Sequence, residues 1–143
     1  VRTYMDHAHP NCSSDQHFRG IMNNQSRGVF NGMVLVRKDA QKTDAQQSNK
    51  NLLLSREARI DTKPQLEIFA DDVKCAHGAT VGELDKDALF YLQSRGIAKA
   101  EAKLMLTRAF AAEITDEIDI KSLRKYVQNK ISFLLNGVNT SSV

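Results

Sequence analysis

The hydrophobic pattern of this chain changes near Gly82, and the change constrains the fold more than any other feature. Before Gly82, short apolar pieces are separated by Gly, Asn, Asp and Ser. Short pieces between turn signals, rich in β-branched and aromatic side chains, are typical of strands. Residues 1–82 are therefore predicted to form an all-β domain. Its expected strand segments are Gly20-Ile21-Met22, Val29-Phe30, Met33 to Val36, Leu52 to Leu54, Leu66 to Phe69 and Val73 to Cys75.

After Gly82 the apolar residues recur with the period of a helix. Asp85 is a plausible N-cap, with Leu84 and Leu89 placed as a hydrophobic staple, and Gly96 is a natural C-terminal stop. The second helix begins near Ala98, with a predicted apolar stripe of Ala102, Met105, Leu106, Ala109 and Phe110. The third begins near Asp119 and ends at Asn136-Gly137, with a predicted inner face of Ile120, Leu123, Val127, Ile131 and Leu134.

These three helices predict a small bundle over residues 83–137, followed by a disordered tail over residues 138–143. Leu89, Leu92, Ala109 and Phe110 are assigned to its core. The whole chain is therefore mainly β with C-terminal helices.

The type of β architecture stays open on pattern alone. Asn31-Gly32 has hairpin-turn chemistry, but it lies inside an apolar run where a bulge is equally consistent. The polar stretch Lys38 to Asn51 is either a solvated strand with Thr43 or a long loop. No clean repeat period is present, so a sandwich and a parallel β-helix fit about equally well.

Charge and composition exclude several classes of protein. A net charge of +3 with no aromatic stacking surface argues against nucleic-acid binding. No apolar run approaches the roughly 20 residues that a membrane span needs, and no secretion signal opens the chain. With only two cysteines there is no disulfide framework, so a reducing cytoplasm is predicted. The start at Val1, already in mid-pattern, suggests a fragment or a processed product.

Cys75 and His77 are the strongest candidates for chemistry. They lie two residues apart in a predicted strand, so their side chains are expected on one face. Thiol and imidazole suit iron, zinc or copper, yet two ligands do not complete a four-coordinate site. A metalloprotein with a Cys75/His77 centre therefore needs further ligands, and the candidates are His7, His9, His17 and Cys12. The alternative is a buried structural cysteine beside a hydrogen-bonded histidine.

His7, His9 and Cys12 form a second metal-like group near the N-terminus, in which His7 and His9 are expected to share a strand face. Three such ligands near a terminus often occur together by chance, so this group is not the predicted metal site. Elsewhere no GxSxG, HExxH, P-loop or GxGxxG signature is present. The chain is therefore predicted not to be an enzyme.

The segment KCAHGATVG, followed by FYLQSRGI and preceded by NLLLS and TKPQLEI, resembles the C-terminal part of SufD-like proteins. These belong to the SufB/SufD family of the bacterial SUF iron–sulfur cluster assembly system. SufB-like members carry Glu-His-Glu where this chain reads CAHG. The resemblance implies that residues 1–82 are the end of a right-handed parallel β-helix and that a larger N-terminal portion precedes them.

The resemblance also implies a role as a non-catalytic scaffold subunit. His77 would face the interface with a SufB-like paralogue, where a nascent iron–sulfur cluster contacts it transiently, and Cys75 belongs to the same motif. No cofactor would be tightly bound in this fragment. A SufC-like ABC ATPase would dock on the helices through Phe90, Tyr91, Arg95 and Met105.

Two further expectations remain. The chain is expected to self-associate as a homodimer, either at the cut across the β-helix or at the SufB-facing surface. Alternatively, it is a pure protein-interaction module in which neither Cys75 nor His77 does chemistry.

Overall fold

A computed structural model describes the backbone of residues 1–139 and the side chains of residues 1–136. Two compact units make up the chain: Val1–Gly82, and a second unit that begins at Glu83. The prediction of a mainly β chain with three C-terminal helices is confirmed. The elements are β1 (Arg2–His7), β2 (Ser13–Met22), β3 (Arg27–Val36), β4 (Asp44–Leu53), β5 (Arg59–Ile68), β6 (Lys74–Gly82), α1 (Lys86–Ser94), α2 (Lys99–Thr115) and α3 (Lys121–Asn139).

The six strands form two three-stranded sheets in which every pair is parallel. One sheet has the order β1-β3-β5 and the other β2-β4-β6, so successive strands alternate between the sheets. A separation of 31 residues recurs in hydrogen bonds such as Arg37 to Asp6 and Ser55 to Asn24. A sandwich of antiparallel hairpins, one of the two predicted alternatives, is therefore wrong for the described strands.

The apolar core of the first unit lies between the two sheets. Val34 and Val36 of β3 are fully buried and cluster with Ala40, Ala45 and Ala70. Met5, Leu66, Val73 and Cys75 are partly buried and pack against this cluster.

The polar stretch Lys38 to Asn51 contributes most of β4, and every second side chain of that strand points into the interior. Gln47, Asn49 and Asn51 are all buried. Thr62 donates to Asn49 Oδ1 at 2.6 Å, and Asn51 Nδ2 donates to the same oxygen at 2.7 Å. Amide side chains can be buried in this way because each finds a hydrogen-bond partner inside the protein. The predicted solvated strand or loop is therefore wrong, and Thr43 is itself buried, donating to the Ala40 carbonyl.

Asn31-Gly32 is neither a hairpin turn nor a bulge, because β3 pairs with both neighbours in unbroken register through it. Gly32 instead provides space. A Cβ there would lie 2.7 Å from Phe30 Cζ and 2.8 Å from Gln47 Nε2. The glycine lets a glutamine from the opposite sheet fit into the interior.

The first two helices begin where the sequence predicts. The Asp85 carboxylate accepts hydrogen bonds from the backbone N–H groups of Asp87 and Ala88, and α1 is followed by Gly96 at φ 86°. Ala98 is the N-cap of α2 and makes no side-chain capping bond. No helix within residues 1–139 combines the length and the apolar character that crossing a membrane requires.

The predicted core face of α2 is partly wrong. Ala102 is buried as expected, but Met105 and Ala109 are exposed, and Leu89, Leu92 and Phe110 are only half-buried. The buried positions are instead Thr107, Ala111 and Thr115. Both threonine hydroxyls donate to backbone carbonyls of their own helix, at Lys103 and Ala112, so they enter the core without an unpaired polar group.

The third helix also differs from its prediction. It runs from Lys121 through Gly137 to Asn139, past the expected stop. Leu135 is buried, whereas Ile120, Leu123 and Leu134 of the predicted inner face are exposed. The contact face is therefore rotated from the predicted stripe. Val138 and Asn139 of the predicted tail are helical, and residues 140–143 lie outside the described part.

Candidate functional site

Strand β6 lies at the edge of its sheet and carries the CAHG motif. It pairs with β4 on one side, and no other strand of the described chain pairs with its second side. All but one of the residues from Cys75 to Gly82 are exposed. An edge of this kind offers a row of free N–H and C=O groups to another strand.

Cys75 and His77 lie on the same face of β6, and that face is the inner one. In the register with β4, Cys75 is paired with Ala45 and His77 with Gln47, both of which are buried. Because β5 and β6 are the last strands of their sheets, the space between them is open on one side. His77 is therefore exposed although it occupies an inward position.

Cys75 lies deeper than His77. It is half-buried against the apolar core, and this burial raises the pKa of its thiol, more than a hydrogen bond with the Ala45 backbone lowers it. The thiolate is the form that binds metals, so a raised pKa makes Cys75 a poor ligand until something removes its proton.

The His77 side chain forms no hydrogen bond or ion pair with the described residues. A cavity of about 420 Å³ lies against the outer face of the same strands, and its lining consists mainly of residues that alternate with the inward positions: Asp15, His17, Gln46, Ser48, Ala76 and Gly78. That cavity does not surround the imidazole of His77, which is exposed at the open end of the interior.

The glycines of the motif leave the surface beside His77 open. A Cβ added to Gly78 or Gly82 would meet no atom within 4 Å, and Gly96 is the only described glycine with positive φ. Neither glycine is therefore needed for backbone conformation or for packing within the described chain.

The N-terminal metal-like group does not form. His7 ends β1, is buried and shares a hydrogen bond of 2.8 Å with Ser14 Oγ, whereas His9 lies in the exposed turn that follows. The prediction that they share a strand face is wrong, because the strand ends between them. Within residues 1–136, no three His, Cys, Asp or Glu side chains come together as a metal site.

The four predicted docking residues of the helical unit are all exposed. Phe90 is 73% and Tyr91 56% exposed, Met105 is 43% exposed, and the Arg95 guanidinium lies 5.1 Å from the centre of the Tyr91 ring. No residue of α1 is buried. A second set of exposed apolar residues lies on α3 and immediately before it. Three of its members were predicted to face inward, and the set comprises Ile120, Leu123, Tyr126, Phe133 and Leu134.

The sequence analysis also missed Gln16, Gln47 and Gly32. Gln16 and Gln47 stand in register beside His77 on the inner faces of β2 and β4, and Gly32 makes room for the Gln47 amide. The available signal was the alternation Ala45, Gln47, Asn49, Asn51, which has the period of a strand.

Comparison with known proteins identifies the family. Residues 1–110 match the family described as SUF system FeS cluster assembly, SufBD core domain. The chain is 47% identical over 137 residues to the iron–sulfur cluster assembly protein SufD of Escherichia coli, which covers 96% of this chain and 32% of that protein.

Two other relatives agree. An iron–sulfur cluster assembly SufBD family protein of Synechocystis is 47% identical over 87% of this chain and 27% of its own length. SufD of Bacillus subtilis is 38% identical over 78% of this chain and 26% of its own length. The chain thus spans about a third or less of the relatives it matches. The resemblance to SufD is confirmed, and the chain belongs to the SufBD family of SUF-system iron–sulfur cluster assembly proteins.

Proposed function

We propose that this chain is part of a non-catalytic, SufD-like scaffold subunit. The subunit pairs with a SufB-like paralogue through the edge of β6, presents His77 to an iron–sulfur cluster that is being assembled, and docks a SufC-like ABC ATPase on its helices. The cluster is cargo and leaves the site. The cytoplasm is the compartment we propose for this work, since both cysteines are free thiols.

The exposed imidazole of His77 on an edge strand is the observation that carries this proposal. A neutral imidazole nitrogen is a common ligand for iron, and His77 has no competing partner among the described residues. The free edge of β6 and the two glycines beside His77 would let another backbone approach closely. A cluster held between two chains would also obtain the additional ligands that this chain does not group around His77.

The two parallel sheets support a right-handed parallel β-helix as the frame of this site. Each strand pairs with the second strand after it, and paired residues are separated by 29 to 32 positions, which is the length of one coil. Crossovers that connect parallel strands of one sheet are right-handed in the great majority of proteins. In such a frame β5 and β6 form the last coil, and His77 stands at its open end.

The exposed aromatic and cationic residues of α1 support ATPase docking. Aromatic residues and arginine are enriched at protein interfaces, and Tyr91 with Arg95 forms a preformed pair of this kind. ATP hydrolysis would take place in the docked subunit. Its movement would then be transmitted through the helices to the paired scaffold.

Replacing His77 tests the proposed role in cluster assembly. In the full-length protein, His77→Ala is expected to leave folding intact, because the side chain is exposed, and to abolish cluster assembly by the reconstituted complex even at paralogue concentrations that saturate binding. His9→Ala removes an exposed histidine from a turn and is the matched control. Normal assembly with His77→Ala would contradict a role for this imidazole and favour a pure interaction module.

The same edge accounts for the expected homodimer of this chain. In the absence of a paralogue, two copies would pair through β6. Sedimentation analysis of the 143-residue chain checks this, and Gly78→Leu, which places bulk on the outer face of β6, is expected to shift any dimer toward monomer.

A further inference from the structure

One buried amide of the interior lacks a hydrogen-bond partner for its oxygen. Gln47 is 3% exposed, and its Nε2 donates to Gln16 Oε1 at 2.9 Å. Its Oε1 is buried and accepts no hydrogen bond. Buried polar atoms without partners are rare and costly, so each calls for a physical reason.

The position of this oxygen relates it to His77. Gln16, Gln47 and His77 are paired in register across β2, β4 and β6, and all three occupy inner positions. Neighbouring strands of a sheet lie about 4.8 Å apart, within reach of a side-chain hydrogen bond. Gln47 Nε2 is hydrogen-bonded to Gln16 of β2, whereas its Oε1 lies over Gly32 of the facing strand without a partner. On the side of β4 away from β2, the next strand is β6.

No other neighbour in the register offers His77 an equally good acceptor. On the facing sheet, Pro64 is paired with Gly32, and Gly32 is the residue against which the Gln47 amide lies. On β6 itself, the inner positions on either side of His77 are Cys75 and Ala79. A thiol is a weak acceptor, and proline and alanine side chains have no hydrogen-bonding group.

We propose that Gln47 is a positioning residue for His77. The buried Oε1 of Gln47 accepts a hydrogen bond from the imidazole N–H of His77. The consequence for cluster assembly rests on the proposed function, whereas the hydrogen bond itself does not. Rotation of the exposed imidazole about its side-chain bonds brings Nδ1, the ring nitrogen near the strand, to this acceptor. Nε2 at the tip of the ring then keeps its lone pair and faces outward.

Such an arrangement has a clear chemical benefit. Histidine ligands usually donate their second ring N–H to a fixed acceptor, which selects the tautomer and orients the ring. Gly32 makes room for the acceptor, because a Cβ there would lie 2.8 Å from Nε2 and 2.9 Å from Oε1 of Gln47. Gln47 would thus leave Nε2 of His77 unprotonated, with its lone pair free to bind iron before the cluster arrives.

Nitrogen-15 NMR of the histidine ring tests the hydrogen bond without any partner. In a neutral imidazole, the nitrogen-15 ring shifts report which nitrogen carries the proton. We expect the wild-type chain to hold His77 mainly as the Nδ1–H tautomer, which is the minor form of free histidine. Gln47→Met, which has similar volume and no oxygen, should restore the Nε2–H form.

Two further variants separate positioning from general structure. Gln65→Met makes the same change on the outer face of β5, in the other sheet, and should leave the tautomer of His77 unchanged. Gln47→Glu keeps an acceptor oxygen and should retain the Nδ1–H tautomer even if Gln47→Met folds poorly. A wild-type His77 in the Nε2–H form, or one that is insensitive to Gln47, would overturn the proposal.

A double-mutant cycle on paralogue affinity provides the functional test. We expect Gln47→Met to weaken binding about 3- to 10-fold when His77 is present and to have no effect in a His77→Ala background. Equal weakening in both backgrounds would assign Gln47 a structural role only and overturn the proposal. Failure of the wild-type protein to bind a paralogue would contradict the proposed function, while the NMR result would still decide the role of Gln47.

Discussion

At the scale of single residues, Cys75 and His77 show how much two inward positions of one strand can differ. Cys75 packs against the core cluster and its pKa is raised by burial, whereas His77 is exposed at the open end of the interior. Their environments differ because different parts of the interior face the two side chains, although one strand carries both. Alternation along β6 predicts their shared face, but only the three-dimensional arrangement separates their environments.

The raised pKa of Cys75 predicts a shifted pH dependence of its alkylation. In a Cys12→Ser background, the rate of reaction with iodoacetamide should rise at higher pH in the folded chain than in urea, because burial disfavours the thiolate. Steric protection alone would lower the rate without moving its midpoint along the pH axis. Coincident midpoints in the two states would therefore contradict the burial effect.

The same shift predicts a loss of stability at alkaline pH. A group whose pKa is raised by folding contributes stability below its unfolded pKa, about 8.5 for a thiol, and that contribution disappears as pH rises through the folded value. Urea unfolding across this range should show a steeper decline for the wild-type chain than for Cys75→Ala. Parallel declines would mean that Cys75 does not titrate differently in the two states.

At the scale of elements, β4 is where reading the sequence fails most clearly. Its polar residues suggest solvent, yet Gln47, Asn49 and Asn51 form the inner face. Their burial depends on partners from three other strands, including Gln16 of β2, Thr62 of β5 and the Thr80 carbonyl of β6. Such partners are distant in sequence, so composition alone could not reveal that these amides would be satisfied inside.

The buried amide cluster predicts a large effect for a single polar residue. Asn49→Ala removes the acceptor shared by Thr62 and Asn51 and should lower the free energy of unfolding by about 1–3 kcal/mol. Gln46→Ala, on the exposed outer face of the same strand, should change it by less than about 0.5 kcal/mol. Urea unfolding measures both, and equal effects would mean that the cluster does not stabilise the sheet.

For the helices, the sequence predicted where they begin but not which faces they bury. Their starts follow local chemistry, such as the Asp85 cap, and were predicted correctly. Their contact faces depend on which residues can approach a neighbour closely, and Thr107, Ala111 and Thr115 were favoured over the larger Met105. Local signals such as a helix cap can be read from the sequence, whereas the packing of one element against another cannot.

At the scale of the whole molecule, the two units differ in what they expose. The first unit buries a polar and apolar interior and carries the CAHG motif on the edge strand β6. The second leaves large apolar side chains exposed on α1, α2 and α3. A division of this kind suits a scaffold that pairs through its sheet and is moved through its helices, and it makes the choice of docking helix the decisive question for the second unit.

Replacing each of two phenylalanines with nearly equal exposure tests which helix docks the ATPase. Phe90 of α1 is 73% exposed and Phe133 of α3 is 76% exposed, so replacing either by alanine should change stability by less than about 0.5 kcal/mol. We expect Phe90→Ala in the full-length protein to weaken binding of the ABC ATPase at least about tenfold, as loss of a central interface aromatic does. Phe133→Ala should bind normally in the same titration. If Phe133→Ala weakens binding and Phe90→Ala does not, the ATPase docks on α3, and the exposed face of α1 must serve another contact.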